Sequence, residues 1–428
     1  MASAAKEKAK KEKKEAKEEA RAKAPIKPKA VKNAPLTRAE RIELLRTGIN
    51  KAFEGKGAVL CGDEISNVFT LRRPTGIIDL DISIGGGWPA GGLSQIIGED
   101  NSGKSYLANR TMAEVQKTYG DEAAISVCMT EQKYDKAFAK WKCGMRIPMS
   151  PMEIQMLEQA RVKDGLPPFT QPEIDWLKDR VGHFQESIFQ TAEQVLEAAV
   201  QQVEENVFQV VLIDSFGALL TAAEAEAEGG LEDQHFAGAS KVITGFMHRL
   251  HAALNLPDRY GRPNTTTVLG INQVRENLKA SGPYANTLQI SGGRALKHGK
   301  LVDVLLKKGS KIKVGKYPNE TILGKEINWT VLKGKAGCHD GGEGEYRFYY
   351  GEHGYGFGAD IYHNLLQCGV KTGVIEQSGA WYGFQNTAIC QGQDNAAHGF
   401  MANPPLVEAV RQAIFAKVGL SFITKETF

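Results

Sequence analysis

The stretch GEDNSGKS, residues 98–105, lies between the apolar run SQII (94–97) and the helix-like KSYLANRTMAEVQKTYG (104–120). It fits the pattern G-x-x-x-x-G-K-[ST]. Gly98 and Gly103 let the backbone wrap so that successive N–H groups face an anion, and the following helix adds its positive N-terminal end. Gly98, Glu99, Asp100, Asn101, Ser102 and Gly103 would form the cradle. Lys104 would reach the β- and γ-phosphates of ATP, and Ser105 would hold Mg²⁺. Tyr106, the next residue, is counted with the nucleotide-binding set.

Such a loop needs a second metal-side carboxylate at the end of a buried strand. VVLIDS supplies Asp214 after four apolar residues, placed to hold the metal through water. AISVCMTE ends at Glu131, a candidate to activate the attacking water, with a plain surface charge as the competing reading. GINQV offers Asn272 and Gln273, amides able either to bond a γ-phosphate or to cap a turn.

Strand-like runs (SQIIGE, AISVCMTE, VFQVVLIDS, TTTVLGINQV) alternate with runs of helical period over residues 94–255 and beyond. That alternation predicts an α/β protein with a mostly parallel sheet and helices on both faces. VDVLLKKGSKIKV, KEINWTVLKG and EYRFYYGE follow without helices between them and predict an antiparallel extension. ADIYHNLLQCGV and PPLVEAVRQAIFAKVG, around a polar glycine-rich middle, predict a small C-terminal α+β domain. The expected organisation is a basic arm (1–36), an N-terminal helix and strand (37–75) with Thr37 as N-cap, a core (76–352) interrupted by an insertion (146–182), and the C-terminal domain (353–428).

Of 428 residues, 42% are hydrophobic and 24% charged, as in ordinary globular proteins, and no apolar run is long enough to span a membrane. The first residues lack the apolar stretch of a secretory signal, and six cysteines stand without C-x-x-C pairing. The expectation is a cytoplasmic protein with reduced thiols. The net charge of +3 is uneven. Residues 1–35 hold twelve Lys/Arg against five Asp/Glu, a net of +7, so the remainder carries −4. The arm reads either as an electrostatic contact to nucleic acid or as a solubilising tail.

The run LRRPTGIIDLDISIGGGWPAGGLSQIIGEDNSGKS, followed in order by VVLIDSFGALL, INQVR, SGGRALKH, VLKGKAG and GVKTGVIEQSGAWY, resembles the RecA family of DNA strand-exchange recombinases. The similarity spans about residues 40 to 415, apart from the insertion, and its C-terminal motif is similar to bacterial and phage members. The resemblance implies a RecA-like P-loop ATPase core. It implies Glu131 as the water-activating carboxylate and Gln273 as the reporter of nucleotide state. It places Phe138 against adenine with Asp135 near the base, and assigns Lys333 and Lys335 to the neighbouring subunit's γ-phosphate. On a strand, alternation would put those two lysines on one face.

Two loops would meet DNA, Glu224–Gly238 and Val274–Arg294, with Lys241, Arg275, Lys279 and Arg294 on phosphates and Tyr284 stacking on or wedging between bases. The helix at residues 38–54 would pack on the next subunit and build a filament. The implied protein is an ATP- and Mg²⁺-dependent, DNA-dependent ATPase that polymerises on single-stranded DNA. It would pair that strand with homologous double-stranded DNA in recombination and repair, in the bacterial host cytoplasm. Single-strand-binding and mediator proteins are further candidate partners. A non-catalytic recombination mediator and a hexameric helicase-like ATPase share the same core and stand as the alternatives.

Overall fold

Residues 37–53, 59–60, 68–130, 134–225, 236–276, 288–315, 319–351, 356–420 and 425 are described by a computed structural model, in two units divided after Ser66. The first unit contains helix α1 (Arg38–Ala52). Thr37 caps it as the sequence predicts, in a closed box. The Glu40 N–H donates to the Thr37 hydroxyl at 3.3 Å, and the Thr37 N–H donates to the Glu40 carboxylate at 2.7 Å. No residue of α1 is buried, and Ile42, Leu44 and Leu45 are exposed.

The second unit begins with β1 (Arg72–Arg73), α2 (Ile78–Ser83) and β2 (Trp88–Pro89), which lead into β3 (Gly92–Gly98). Helix α3 (Lys104–Tyr119), β4 (Ala124–Met129) and α4 (Lys136–Cys143) follow, then α5 (Pro151–Lys163) and α6 (Gln171–Lys178). The chain continues through β5 (His183–Ile188), α7 (Ala192–Glu204), β6 (Val210–Asp214), α8 (Phe236–Asn255), β7 (Thr267–Glu276), β8 (Leu288–Ile290) and α9 (Gly293–Gly299). Strands β9 (Val302–Val314), β10 (Thr321–Gly334), β11 (Glu343–Tyr350) and β12 (Phe357–Ala359) complete the main sheet.

Its order is β12-β11-β10-β9-β3-β7-β6-β4-β5, with β8 attached to β7. From β9 to β5 neighbours run parallel, and from β9 to β12 antiparallel. All seven residues of β3 are buried, because strands flank both its edges and helices cover both faces. Period-2 alternation divides the core. Val210 and Leu212 face α3 and α4, whereas Val211 and Ile213 face α7 and α8. Each fully buried Ile or Val is worth about 1.5–3 kcal/mol relative to exposure, so this alternation fixes the register.

Strand β5 is absent from the sequence expectation. HFQESI closes the edge of the sheet, half-buried, and so lacks the apolar run that marks its neighbours. Between β4 and β5 the insertion is fastened to α4. Lys136 pairs with Glu153 at 2.7 Å, the Trp141 and Trp176 ring centroids lie 4.5 Å apart, and the Lys140 ammonium donates to the carbonyls of Ile147 (3.2 Å) and Asp179 (3.1 Å).

The C-terminal region consists of α10 (Ile361–Lys371), a small antiparallel sheet of β13 (Glu376–Ser378), β14 (Trp381–Phe384) and β15 (Thr387–Gln391), then α11 (Ala396–Met401) and α12 (Pro404–Lys417). Its core of Leu366, Phe400, Val410 and Ile414 includes Ile78 of α2. The fold class is the expected one: an α/β core with a mostly parallel sheet, an antiparallel extension and a small α+β region. Among the described residues no helix is long and apolar enough to cross a membrane. Cys128, Cys143, Cys338, Cys368 and Cys390 are free, and burial pushes the Cys128 and Cys143 thiols up to about 12.

Candidate active site

The residue 98–105 turn links the end of β3 to α3, as the sequence predicts. Gly103 has φ +97°, a conformation side chains rarely adopt, and a Cβ there would sit 2.9 Å from Ile327. A Cβ on Gly98 would strike the Ser102 hydroxyl at 2.4 Å and the Leu306 carbonyl at 2.6 Å. The first bond within α3 runs from the Leu107 N–H to the Gly103 carbonyl at 3.0 Å, so the amides of Ser105 and Tyr106 have no helical acceptor. The Lys104 ammonium donates to the loop's own carbonyls at Gly98 (3.0 Å) and Glu99 (2.7 Å). Glu99, Asp100 and Asn101 are exposed.

These residues fit a nucleotide's phosphates and Mg²⁺. The cradle has no Cβ where one would fill it, and the fully buried Ser102 hydroxyl has no partner among the described residues. Ser105 is exposed at the start of α3, and Asp214 ends β6. Both offer hard oxygen donors of the kind Mg²⁺ takes beside phosphate oxygens. Among the described residues no cluster of three His, Cys, Asp or Glu side chains forms a separate metal cage.

The side chain of Tyr106 turns away from the loop. Its ring is buried edge-on against Phe348 (4.9 Å between centroids), and its hydroxyl accepts the Ala359 N–H at 2.9 Å. Only its backbone amide remains for a ligand, because helical spacing turns the side chain into the core. Phe138 meets Phe357 edge-on at 5.9 Å at the margin of the same aromatic group. Asp135 caps α4, accepting the Phe138 N–H at 2.8 Å.

Gln273 is the cross-strand neighbour of Gly98, directly beside the phosphate loop. Its N–H donates to the Asn272 side chain at 2.9 Å, while the Asn272 amide donates to the carbonyl of Ser291, near the C-terminal end of the Val274–Arg294 loop, at 2.8 Å. Glu131 lies outside the described residues, but Thr130 before it does not. The Thr130 N–H donates to the Asp214 carbonyl at 2.8 Å, and its hydroxyl bonds both the carbonyl and the N–H of Ser215, each at 2.8 Å.

Sequence reasoning missed Thr130 and a buried relay behind α3. The Tyr134 N–H donates to Glu186 at 2.7 Å, its hydroxyl donates to Asn109, and the Asn109 amide donates to the Ser105 carbonyl at 2.7 Å. Burial holds the Tyr134 hydroxyl well above its usual range, reinforced by neighbouring acidic groups that include Asp214. No local signal marks these partners, since they meet only when β4, β5 and α3 pack.

Lys333 lies on β10 and Lys335 just past its end at Gly334, so strand alternation does not relate them. Both side chains nevertheless reach the same group of carbonyls. Lys333 donates to the carbonyls of Lys297 (2.7 Å) and His298 (3.1 Å), and Lys335 to that of His298 (3.4 Å). Both ammoniums thus cap the C-terminal end of α9. Burial lowers the Lys333 pKa, and the adjacent Lys335 lowers it further. Register fixes their position along the sheet. Gly98 is level with Leu306 and Trp329, whereas Ser94 is level with Val302 and Gly334. Four residues at roughly 3.3 Å each separate the two levels by about 13 Å. The lysines stand at the opposite edge of the sheet from their own chain's phosphate loop.

Of the expected DNA contacts, Lys241 on α8 and Arg294 on α9 are exposed. Arg275 lies on β7. Lys279, Tyr284 and most of both loops fall outside the described residues.

Comparison with known proteins agrees with this architecture. A family model described as the RecA N-terminal domain matches residues 40–149 and 182–352, and one described as the RecA C-terminal domain matches 363–419. Protein RecA of Thermus aquaticus is 30% identical over 371 residues, covering 86% of this chain and 92% of its own. Protein RecA of Brevibacillus brevis is 29% identical over 367 residues, covering 86% and 87%. A solved RadB recombinase aligns with 64% of this chain and 96% of its own, at 18% identity and a TM-score of 0.37. With both domain models matched in order and relatives aligned over most of their length, the chain belongs to the RecA family of DNA strand-exchange recombinases.

Proposed function

We propose that this protein assembles on single-stranded DNA as a helical filament, binds and hydrolyses ATP between subunits, and exchanges the held strand into a homologous duplex. Lys104 and the amides of residues 98–106 bind the phosphates, while Ser105 and Asp214 hold Mg²⁺. Bound Mg²⁺ supplies charge stabilisation to the β- and γ-phosphate oxygens. Glu131, carried on the backbone that Thr130 ties to the Asp214–Ser215 turn, orients and deprotonates the attacking water. Gln273, beside Gly98, bonds the γ-phosphate and passes its presence to the Val274–Arg294 loop. That loop, with Lys241 and the loop before α8, holds DNA by its backbone. Sequence selection is left to base pairing.

The observation that carries this reading is the separation of Lys333 and Lys335 from the phosphate loop of their own chain. A lysine pair about 13 Å behind the loop, at the other edge of the sheet, serves a γ-phosphate only in a neighbouring copy. A head-to-tail contact of that kind leaves one face free at each end, so it propagates. The site is completed by assembly, and ATP binding then favours the DNA-holding state.

The test is a joint-molecule assay with circular single strand and linear homologous duplex. The expected result is ATP-dependent joint molecules, none with a heterologous duplex. ATP-dependent DNA binding without joint molecules would identify a mediator. ATP-driven unwinding without pairing would identify a helicase-like ring.

A further inference from the structure

We propose that Lys325 is a nucleotide-site residue that positions the phosphate loop and adds a second positive charge beside a bound nucleoside di- or triphosphate. The inference rests on the nucleotide reading of residues 98–105. Lys325 lies on β10, two strands away from β3, and the register of β10 against β9 shifts on both sides of it, between Ile322 and Gly324 and between Lys325 and Ile327. Such irregularities re-aim side chains next to functional sites. Here the Lys325 ammonium donates to the Asn101 carbonyl of the loop. Asn101 holds φ +56°, a conformation sparsely used by residues other than glycine, and this bond secures it. Lys104 donates to the carbonyls of Gly98 and Glu99, so two ammoniums clamp the loop through three of its carbonyls.

The same ammonium lies 5.9 Å from the centroid of Phe348. Phe348 belongs to the aromatic group of Tyr106 and Phe357 that Phe138 borders. Lys325 therefore stands between the phosphate loop and the rings nearest the expected base. It is half-buried, and desolvation together with Lys308 lowers its pKa. A partly dehydrated cation so placed gains more from a polyphosphate than from water. The residues beneath the loop are otherwise poor in polar partners: Ile327 packs under Gly103, and the buried Tyr346 hydroxyl has no partner among the described residues.

The experiment measures binding of ATP, ADP and adenosine by calorimetry to the full chain, without DNA, for Lys325→Met, Lys325→Arg and Lys104→Ala, with thermal unfolding as the check on folding. Lys325→Met is expected to weaken ATP and ADP by about tenfold and to leave adenosine unchanged, as loss of one nearby charge requires. Lys325→Arg keeps the charge and is expected to retain most of the affinity. A purely structural lysine would weaken adenosine as much as ADP, or would not be rescued by arginine, and either result overturns the proposal. Wild-type ADP affinity in a folded Lys325→Met protein overturns it as well. If Lys104→Ala abolishes phosphate-dependent binding in that case, the nucleotide reading stands and Lys325 alone is misassigned. If Lys104→Ala also binds normally, the nucleotide reading itself fails.

Discussion

The two ends of strand β3 are built differently, and the contrast defines the working unit. At its C-terminal end, a short contiguous segment supplies glycines, amides, Lys104 and Ser105. At its N-terminal end, Gly334 is level with Ser94, and Lys333 and Lys335 reach the α9 terminus from a hairpin more than 200 residues further on. One end has, within one segment, the groups that would bind an anion. The other presents two cations that serve no group on the loop of their own chain. On the proposed reading, each subunit carries two unlike halves of a site, at opposite ends of the strands of one sheet.

The strongest way to break this contrast is to empty the lysine end. Lys333→Ala with Lys335→Ala is expected to leave ATP binding by dilute protein nearly intact. DNA-stimulated hydrolysis should fall by about 10³-fold, the scale of cationic fingers supplied by a neighbour. Steady-state turnover with and without single-stranded DNA checks this, and a matching loss of monomer affinity would place the lysines on their own chain's nucleotide. Emptying the loop end instead, with Lys104→Ala, should weaken ATP binding by about 10²-fold or more even without DNA, since charged donors to phosphate are the strong ones. Calorimetry of the dilute protein measures it.

How legible these ends were depended on how local they are. The phosphate loop, Asp214 and the alternation of strands and helices are read from neighbouring residues, and they stand where expected. Strand β5 escaped because an edge strand with solvent on one side carries HFQESI rather than an apolar run. Tyr106 was assigned to the nucleotide from its place after the motif, yet helical periodicity sends its ring against Phe348. The lysine pair was expected on one strand; Lys335 lies just past the strand's end at Gly334, and what the two side chains share is the carbonyl of His298. Thr130, the Tyr134–Asn109 relay and Lys325 depend on partners 25 to 224 residues distant, which no window of sequence displays.

A smaller effect concerns the basic arm, which belongs to neither end of the sheet. Deleting residues 1–35 removes a net +7. If those lysines neutralise phosphates of single-stranded DNA, the slope of log affinity against log salt flattens by about 0.7 for each phosphate no longer neutralised. Strand exchange should survive the deletion. An unchanged slope in a salt titration would leave the arm as a solubilising tail.

The smallest effect concerns α2, beneath the C-terminal region. Burial pushes Asp81 up to about 7 and Asp79 up to about 6, although Arg411 pulls Asp81 down. Between about pH 4 and 7 the folded chain keeps a proton at Asp81 that the unfolded chain has released, so stability falls as pH rises through that window. Asp81→Asn should flatten this slope and gain on the order of 1–3 kcal/mol relative to wild type at pH 8. Urea unfolding at pH 5 and pH 8 measures the difference, while nucleotide affinity should not change. Parallel pH profiles for the two proteins would contradict the assignment.

The claim that the two ends meet only between subunits is tested most directly by mixing two inactive proteins. The lysine double-alanine variant keeps Glu131 but cannot stabilise a neighbour's γ-phosphate. Glu131→Gln lacks the base but can lend its lysines. Co-assembled on single-stranded DNA, a double-alanine subunit whose site faces the lysines of a Glu131→Gln neighbour has a complete site, and the mixture should hydrolyse ATP well above either protein alone. A mixture as inactive as its components, with both shown to be present in the same DNA complexes, would contradict the account.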